Sequence, residues 1–284
     1  AQDVGMPSIA DYAERFGVYD DMPAHLSYSL GAGETTLYRM VAAYGMFANG
    51  GRRVEPTLVD RIQDRRGETI YRHDQRVCRD CVAEADQGVE PWPVPVARRI
   101  MDRVTAYQLV SMMEGVAIRG TAARLSSLGV PVAGKTGTTN EAKDAWFVGF
   151  TPNLVAGCFV GYDNPRPMGK GGTGGGMCAP IFEDFMRDAL KVRPAGEFQA
   201  PPEVVFASID QTTGERLPDG SGGNTIREVF RQGQVPDLYE RAAFIGDGEA
   251  GDSFLGGGEL PFSLSDGGGD DVLLQDKPTA NEWR

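Results

Sequence analysis

"VPVAGKTGTTNEAKDAWFVGF", residues 130–150, decides how this chain is to be read. Two unrelated chemistries fit its Gly-Lys-Thr core. Together with Gly129, the residues through Thr136 match the spacing of a phosphate-binding P-loop. That chemistry needs a flexible glycine-rich loop and a helix whose first amides face the phosphates. The four variable positions here are Val130, Pro131, Val132 and Ala133, which are stiff and strand-like. A second strand pattern, "AWFVGF", follows, and no amphipathic helix begins near Lys135. A nucleotide-binding P-loop is therefore the weaker alternative.

The other reading takes Lys135-Thr136-Gly137-Thr138 as a substrate-binding strand. An acyltransferase working on a peptide with a free carboxylate needs a cation, hydroxyl donors and a backbone N–H aimed at the developing oxyanion. Lys135 supplies the cation. Thr136 and Thr138, two apart, project from one face of a strand. Gly137 has no side chain, so a ligand can approach the backbone there.

Working outward, "VPVAGKTGT", "AWFVGFTP" and "LVAGCFVGYD" are short β-rich runs separated by turn residues, which predicts an antiparallel sheet. Helices are predicted around it. Residues 7–17 carry Ile9, Tyr12, Ala13 and Phe16 at helical spacing and stop at Gly17. A second helix starts at a Thr35 or Thr36 cap, with Leu37, Met40, Val41, Tyr44 and Phe47 on one face and Asn49-Gly50-Gly51 at its end. A third is capped by Thr105, with Leu109, Met112, Met113 and Val116 inward. A fourth, in "APIFEDFMRDALK", puts Ile181, Phe182, Phe185, Met186 and Ala189 on one face. Residues 57–72 read as a hairpin turning at Arg65-Arg66-Gly67, and 203–218 as strand, turn, strand. The fold class expected is α+β, an antiparallel sheet with packed helices.

The chain has 284 residues and a formal net charge of −12, which argues against a nucleic-acid partner. No apolar run reaches the roughly eighteen residues of a membrane span. Lysine is scarce: Lys135, Lys143, Lys170, Lys191 and Lys277 are all there are, which narrows the choice of a catalytic amine. Cys78 and Cys81 form a single C-x-x-C in an arginine-rich loop. A short disulfide ranks first for them, half a zinc site second (only His73 is near) and a redox pair last. Cys158 and Cys178 stand apart from any motif. From Gly246 onward nine glycines and nine acidic residues meet only two basic ones, a composition that predicts a disordered tail.

The blocks "GKTGTTNEAKDAWFVGFTPNLVAGCFVGYDNPRPMG" and "GGTGGGMCAPIFEDFM" closely resemble the C-terminal half of the transpeptidase domain of class A penicillin-binding proteins, the bifunctional peptidoglycan transglycosylase–transpeptidases. "LGAGETTLYRMVAAYGMFANGGRRVEPTLVDRIQDRRGETIY" and "VTAYQLVSMMEGVAIRGTA" resemble the helical region of the same family, so the likeness extends over roughly residues 1–240. The resemblance implies a partial penicillin-binding, serine β-lactamase-like fold. It implies that Lys135, Thr136, Gly137 and Thr138 bind the substrate carboxylate, and that the Thr138 N–H forms half of an oxyanion hole. It implies no cofactor and no metal. Substrates would be stem peptides ending in D-Ala-D-Ala, with β-lactams as ligands of the complete protein.

The family also uses Ser-x-x-Lys and Ser-x-Asn elements. No serine of this chain has a lysine three residues on or an asparagine two residues on. The resemblance therefore implies that Ala1 lies inside a longer protein, just past the Ser-x-Asn element, and that the nucleophile is outside this chain. The domain division expected is 1–193, the C-terminal part of the transpeptidase domain; 194–245, a strand and turn extension; and 246–284, the acidic tail. The parent would be periplasmic, anchored in the inner membrane through an upstream segment, and also a glycosyltransferase. A non-catalytic scaffold that kept the fold is the other alternative. The sheet of the family also takes strands from before the serine element, so the strand around Ala156–Gly161 is expected to have one open edge.

Overall fold

The computed structural model describes residues 1–74 and 97–238 in full, and the backbone of the short strands 78–79 and 92–93. The side chains of Cys78 and Cys81 and the tail from 246 lie outside the described residues. Residues Ala1–Tyr239 form one compact unit.

The helices are α1 (Met6–Arg15), α2 (Leu37–Ala48), α3 (Arg103–Ile118) and α4 (Ala179–Val192). The strands are β1 (Arg61–Gln63), β2 (Thr69–Arg72), β3 (Cys78–Arg79), β4 (Trp92–Pro93), β5 (Ala133–Thr138), β6 (Asp144–Thr151), β7 (Leu154–Gly161), β8 (Val204–Asp210), β9 (Arg216–Leu217) and β10 (Thr225–Arg231). The architecture is α+β, as the period changes in the sequence predict. β5, β6 and β7 form an antiparallel sheet in that order. The predicted hairpin at 57–72 is β1–β2, with Gly67 at φ 84° in its turn. β8 sits between β10 and β9 in a separate antiparallel sheet.

β6 is central in its sheet and buried along almost its whole length. Both of its faces are covered. On one face Ala145 and Phe147 pack with Phe182 and Met186 of α4 and with Leu125 from the 3₁₀ segment Ala123–Leu128. The Phe147 and Phe182 rings meet edge to face at 4.8 Å. On the other, Phe150 lies under Val110 of α3 and beside Tyr44 and Phe47 of α2. Burying each of these aromatic side chains contributes about 2–3 kcal/mol. β7 lies at the edge of this sheet, half-buried, with Phe159 46% exposed. α2 rests on β7 because position 157 is glycine: a Cβ there would come within 2.6 Å of Val41 Cγ2 and 2.7 Å of Leu37 Cδ1.

The helix boundaries refine the sequence reading. Thr36 caps α2 by accepting the Arg39 N–H. The cap of α3 is Asp102, not Thr105; its carboxylate accepts the amides of Val104 and Thr105. Asp102 also pairs with Arg231 of β10, so one carboxylate both starts α3 and fastens β10 to it. The predicted inward faces are partly displaced. In α2 the buried positions are Ala43 and Met46, because this helix packs on α3 as well as on the sheet. Met112 of α3 is exposed, and Val110 is buried instead. In α4, Ile181 and Phe185 are 52% and 53% exposed, and Glu183 is buried beside Phe182 and Met186.

Glu183 is buried with its charge answered. Arg124 Nε donates to Oε2 at 2.7 Å, and Ser127 Oγ and Arg187 donate to Oε1 at 2.6 Å each. The Ser127 hydrogen bond, then Arg124, hold its carboxyl below the usual range. The group ties α4 to the 3₁₀ segment under the sheet. A carboxylate whose pKa falls on folding stabilises above its unfolded value, and that contribution is lost as pH falls through the folded one. Glu183→Ala is expected to cost about 2 kcal/mol near neutral pH, less than the roughly 3–5 kcal/mol of a fully buried broken pair because both arginines are half-exposed. The melting-temperature difference between the wild-type and Glu183→Gln chains should shrink as pH falls below about 4, and a pH-independent difference would contradict this account.

Candidate functional site

β5 carries the Lys-Thr-Gly-Thr run and pairs with β6 along one edge. Ala133 and Gly134 are buried, Thr136 and Gly137 are half-buried, and Lys135 and Thr138 are exposed. The strand therefore begins in the core and emerges at the site. The P-loop geometry is not formed: Lys135 and Thr136 lie inside the strand rather than at a helix N-terminus.

Two segments pack around β5 on the face of Thr136 and Thr138. One is the turn after α3, where Thr121 Oγ1 and Thr136 Oγ1 share a hydrogen bond of 2.7 Å. The other is the glycine-rich segment that ends in the π-turn Gly174–Cys178. Its Gly174 N–H donates to Thr138 Oγ1 at 3.0 Å. A hydroxyl that accepts a hydrogen bond still has its own O–H to give. Thr138 is thus oriented as a donor, and the Thr121–Thr136 pair retains one O–H for a ligand.

Gly174 is the closest approach in the site. A Cβ there would stand 2.3 Å from Trp146 O and 2.6 Å from Gly137 O, so any side chain would push the segment off the strand. Thr173 caps the π-turn by accepting the Gly176 N–H at 3.0 Å. π-turns inside helices are frequent at functional sites.

Lys135 lies on the opposite face of β5, with Gly137. Its ammonium folds onto the Thr136 carbonyl at 2.8 Å and makes no ion pair among the described residues. Trp146, opposite Gly137, and Phe159 meet on this face with ring centroids 4.7 Å apart and planes tilted by 52°. Beyond Thr138 the loop bends through Glu141 and Ala142, at φ 61° and 48°. Two successive non-glycine residues with positive φ are unusual, and such strain gathers at functional sites. Met168 N–H donates to Ala142 O at 3.0 Å and holds this loop against the glycine-rich segment.

The structure thus places Lys135, Thr136, Gly137 and Thr138 together at one strand end. Sequence reading missed Thr121, Thr173 and Gly174. The run "GKGGTGGGM" carried a signal for the last two, since so many glycines in a row mark close backbone approach. Thr121 had no signal of its own. Two cavities lie away from the site; the smaller, about 70 Å³, is lined by residues that include Phe47, Tyr107 and Phe198.

The chain is similar to known proteins over most of its length. The family model described as the penicillin binding protein transpeptidase domain matches residues 1–187. Penicillin-binding protein 1A of Rickettsia bellii is 39% identical over 254 residues, covering 88% of this chain and 32% of the relative. Penicillin-binding protein 1A of Neisseria lactamica is 39% identical over 221 residues, covering 77% of this chain and 26% of the relative. This chain therefore spans about a third or less of the curated relatives it matches. The crystal structure of penicillin-binding protein 1A from Haemophilus influenzae superposes with a TM-score of 0.68 at 27% identity, over 84% of this chain and 38% of that one. PonA1 of Mycobacterium tuberculosis shares the fold, with a TM-score of 0.52. With the family model covering 187 of 284 residues and the Lys-Thr-Gly-Thr strand at the site, the chain belongs to the penicillin-binding protein transpeptidase family.

Proposed function

We propose that this chain is the carboxylate-binding half of the active site of a peptidoglycan DD-transpeptidase. The observation that carries the reading is the strand end at 135–138. A cation and two hydroxyls are presented there, and both hydroxyls are already oriented by Thr121 and Gly174. Preorganised donors are what acyl transfer needs where charge develops.

In the complete protein a serine from the upstream part of the chain attacks the carbonyl of the penultimate D-alanine. The terminal D-alanine leaves, and an amine from a neighbouring strand takes the acyl group. Thr136 and Thr138 donate to the terminal carboxylate, and Lys135 supplies the positive field. The Thr138 N–H is one donor to the oxyanion, and Gly137 lets the substrate lie against the backbone. β-Lactams enter the same position because they also carry a carboxylate beside an acylating carbonyl. By the resemblance to class A penicillin-binding proteins, the parent would work in the periplasm from a membrane anchor and carry a glycosyltransferase domain. Residues 1–193 supply the transpeptidase portion, 194–245 extend it, and 246–284 form an acidic tail.

Two outcomes follow. The chain 1–284 should not be labelled covalently by a fluorescent penicillin, because it holds no Ser-x-x-Lys element and acylation requires a nucleophile beside a base. A labelled band that survives denaturing electrophoresis would contradict this. In the complete protein, Lys135→Ala should lower the second-order acylation rate by about 30–1000-fold, equivalent to roughly 2–4 kcal/mol, with little change in melting temperature. Acylation of that variant at the wild-type rate would remove β5 from the proposed role.

A further inference from the structure

Cys158 and Cys178 are twenty positions apart in sequence, yet the fold sets one over the other. In the pairing of β6 with β7, Cys158 stands opposite Phe147, and Val160 opposite Ala145. Alternate residues of a strand share a face, so these four form a square on the side of the sheet that α4 covers. Cys178 sits over that square at the start of α4. Its Sγ donates to Ala145 O at 3.2 Å, and its thiol interacts with that of Cys158. Both belong to one apolar cluster with Phe147 and Phe182, and neither is in a disulfide. They differ in access: Cys178 is fully buried and Cys158 half-buried.

We propose that Cys158 and Cys178 are a redox pair that closes to a disulfide, stapling the sheet-edge strand β7 to the end of the π-turn that leads into α4. The oxidant is a small-molecule disulfide. The Cys158 thiolate attacks one of its sulfurs, forming a mixed disulfide and expelling one thiolate, which takes up the Cys158 proton. The Cys178 sulfur then attacks Cys158 Sγ and expels the second thiolate, to which its own proton passes. Two protein thiols and one small disulfide become one protein disulfide and two small thiols.

The order follows from burial. Cys178 cannot meet the oxidant, and burial pushes its thiol up to about 12, so it reacts only with a partner already in contact. The closed pair also bears on the candidate site, although the cross-link does not depend on how that site is read. Cys178 ends the π-turn whose first residue, Gly174, orients Thr138. A bond from Cys178 to β7 fixes both ends of that turn against the sheet.

The test is peptide mapping of the native chain after incubation with oxidised glutathione and quenching with an alkylating agent. Trypsin separates the cysteines into peptides 144–170 and 171–187. The expected product is these two peptides joined, about 2 Da lighter than their sum and separable by reductant. In Cys178→Ser, Cys158 should stop at the mixed disulfide with glutathione, and in Cys158→Ser, Cys178 should remain a free thiol. Wild-type protein in which both cysteines stay alkylatable would overturn the proposal. So would a stable glutathione adduct at Cys158 that never resolves, or a linked pair that forms in urea but not in the native chain. The wild-type comparison in and out of urea stands even if a serine variant fails to fold.

Discussion

Burial of β6 on both faces is the constraint on which the rest of the structure depends. A strand between two others has its backbone satisfied, but each face of its side chains must meet another layer. α4 and the 3₁₀ segment cover one face, and α2 and α3 cover the other. With both layers in place, β5 has its inner end locked in the core by Ala133 and Gly134, and only its outer end is free to hold a ligand. The site is therefore a strand end, set by the packing behind it, rather than a loop that must be ordered on binding.

The hydroxyls of Thr136 and Thr138 show what that rigidity provides. Each is already hydrogen-bonded to a segment outside the sheet; Thr138 keeps its own proton to donate, and the Thr121–Thr136 pair keeps one between them. On the proposed function, neither threonine needs to search for its rotamer when a carboxylate binds, which lowers the ordering cost of binding. The Gly174 contact that orients Thr138 depends on the absence of a Cβ, so the glycine-rich segment is part of the site as much as the strand is.

Much of this was legible in the sequence because it rests on local pattern. The β5–β6–β7 strands follow from alternation and from turn residues between the runs, and the same strand spacing singles out Lys135–Thr138 as a candidate site. What stayed illegible depends on which elements meet. Ile181 and Phe185 read as the core face of α4, yet they face solvent, while Glu183 is buried because Arg124 and Ser127 come to it from another segment. Helical periodicity cannot show that a charged residue has partners 56 and 59 positions away. Thr121 escaped for the same reason: it matters only because the turn after α3 reaches β5. Cys158 and Cys178 had no motif, and only the register of β7 against β6 brings them together.

The most direct test of the central claim is a crystal structure of the complete protein after reaction with a penicillin. The drug's carboxylate is expected within hydrogen-bonding distance, about 3 Å, of Thr136 Oγ1 and Thr138 Oγ1, and its acyl oxygen on the Thr138 N–H. The Thr138–Gly174 hydrogen bond is expected unchanged from the free protein. A carboxylate bound elsewhere, with Lys135–Thr138 facing only solvent, would contradict the assignment of β5 as the carboxylate-binding strand.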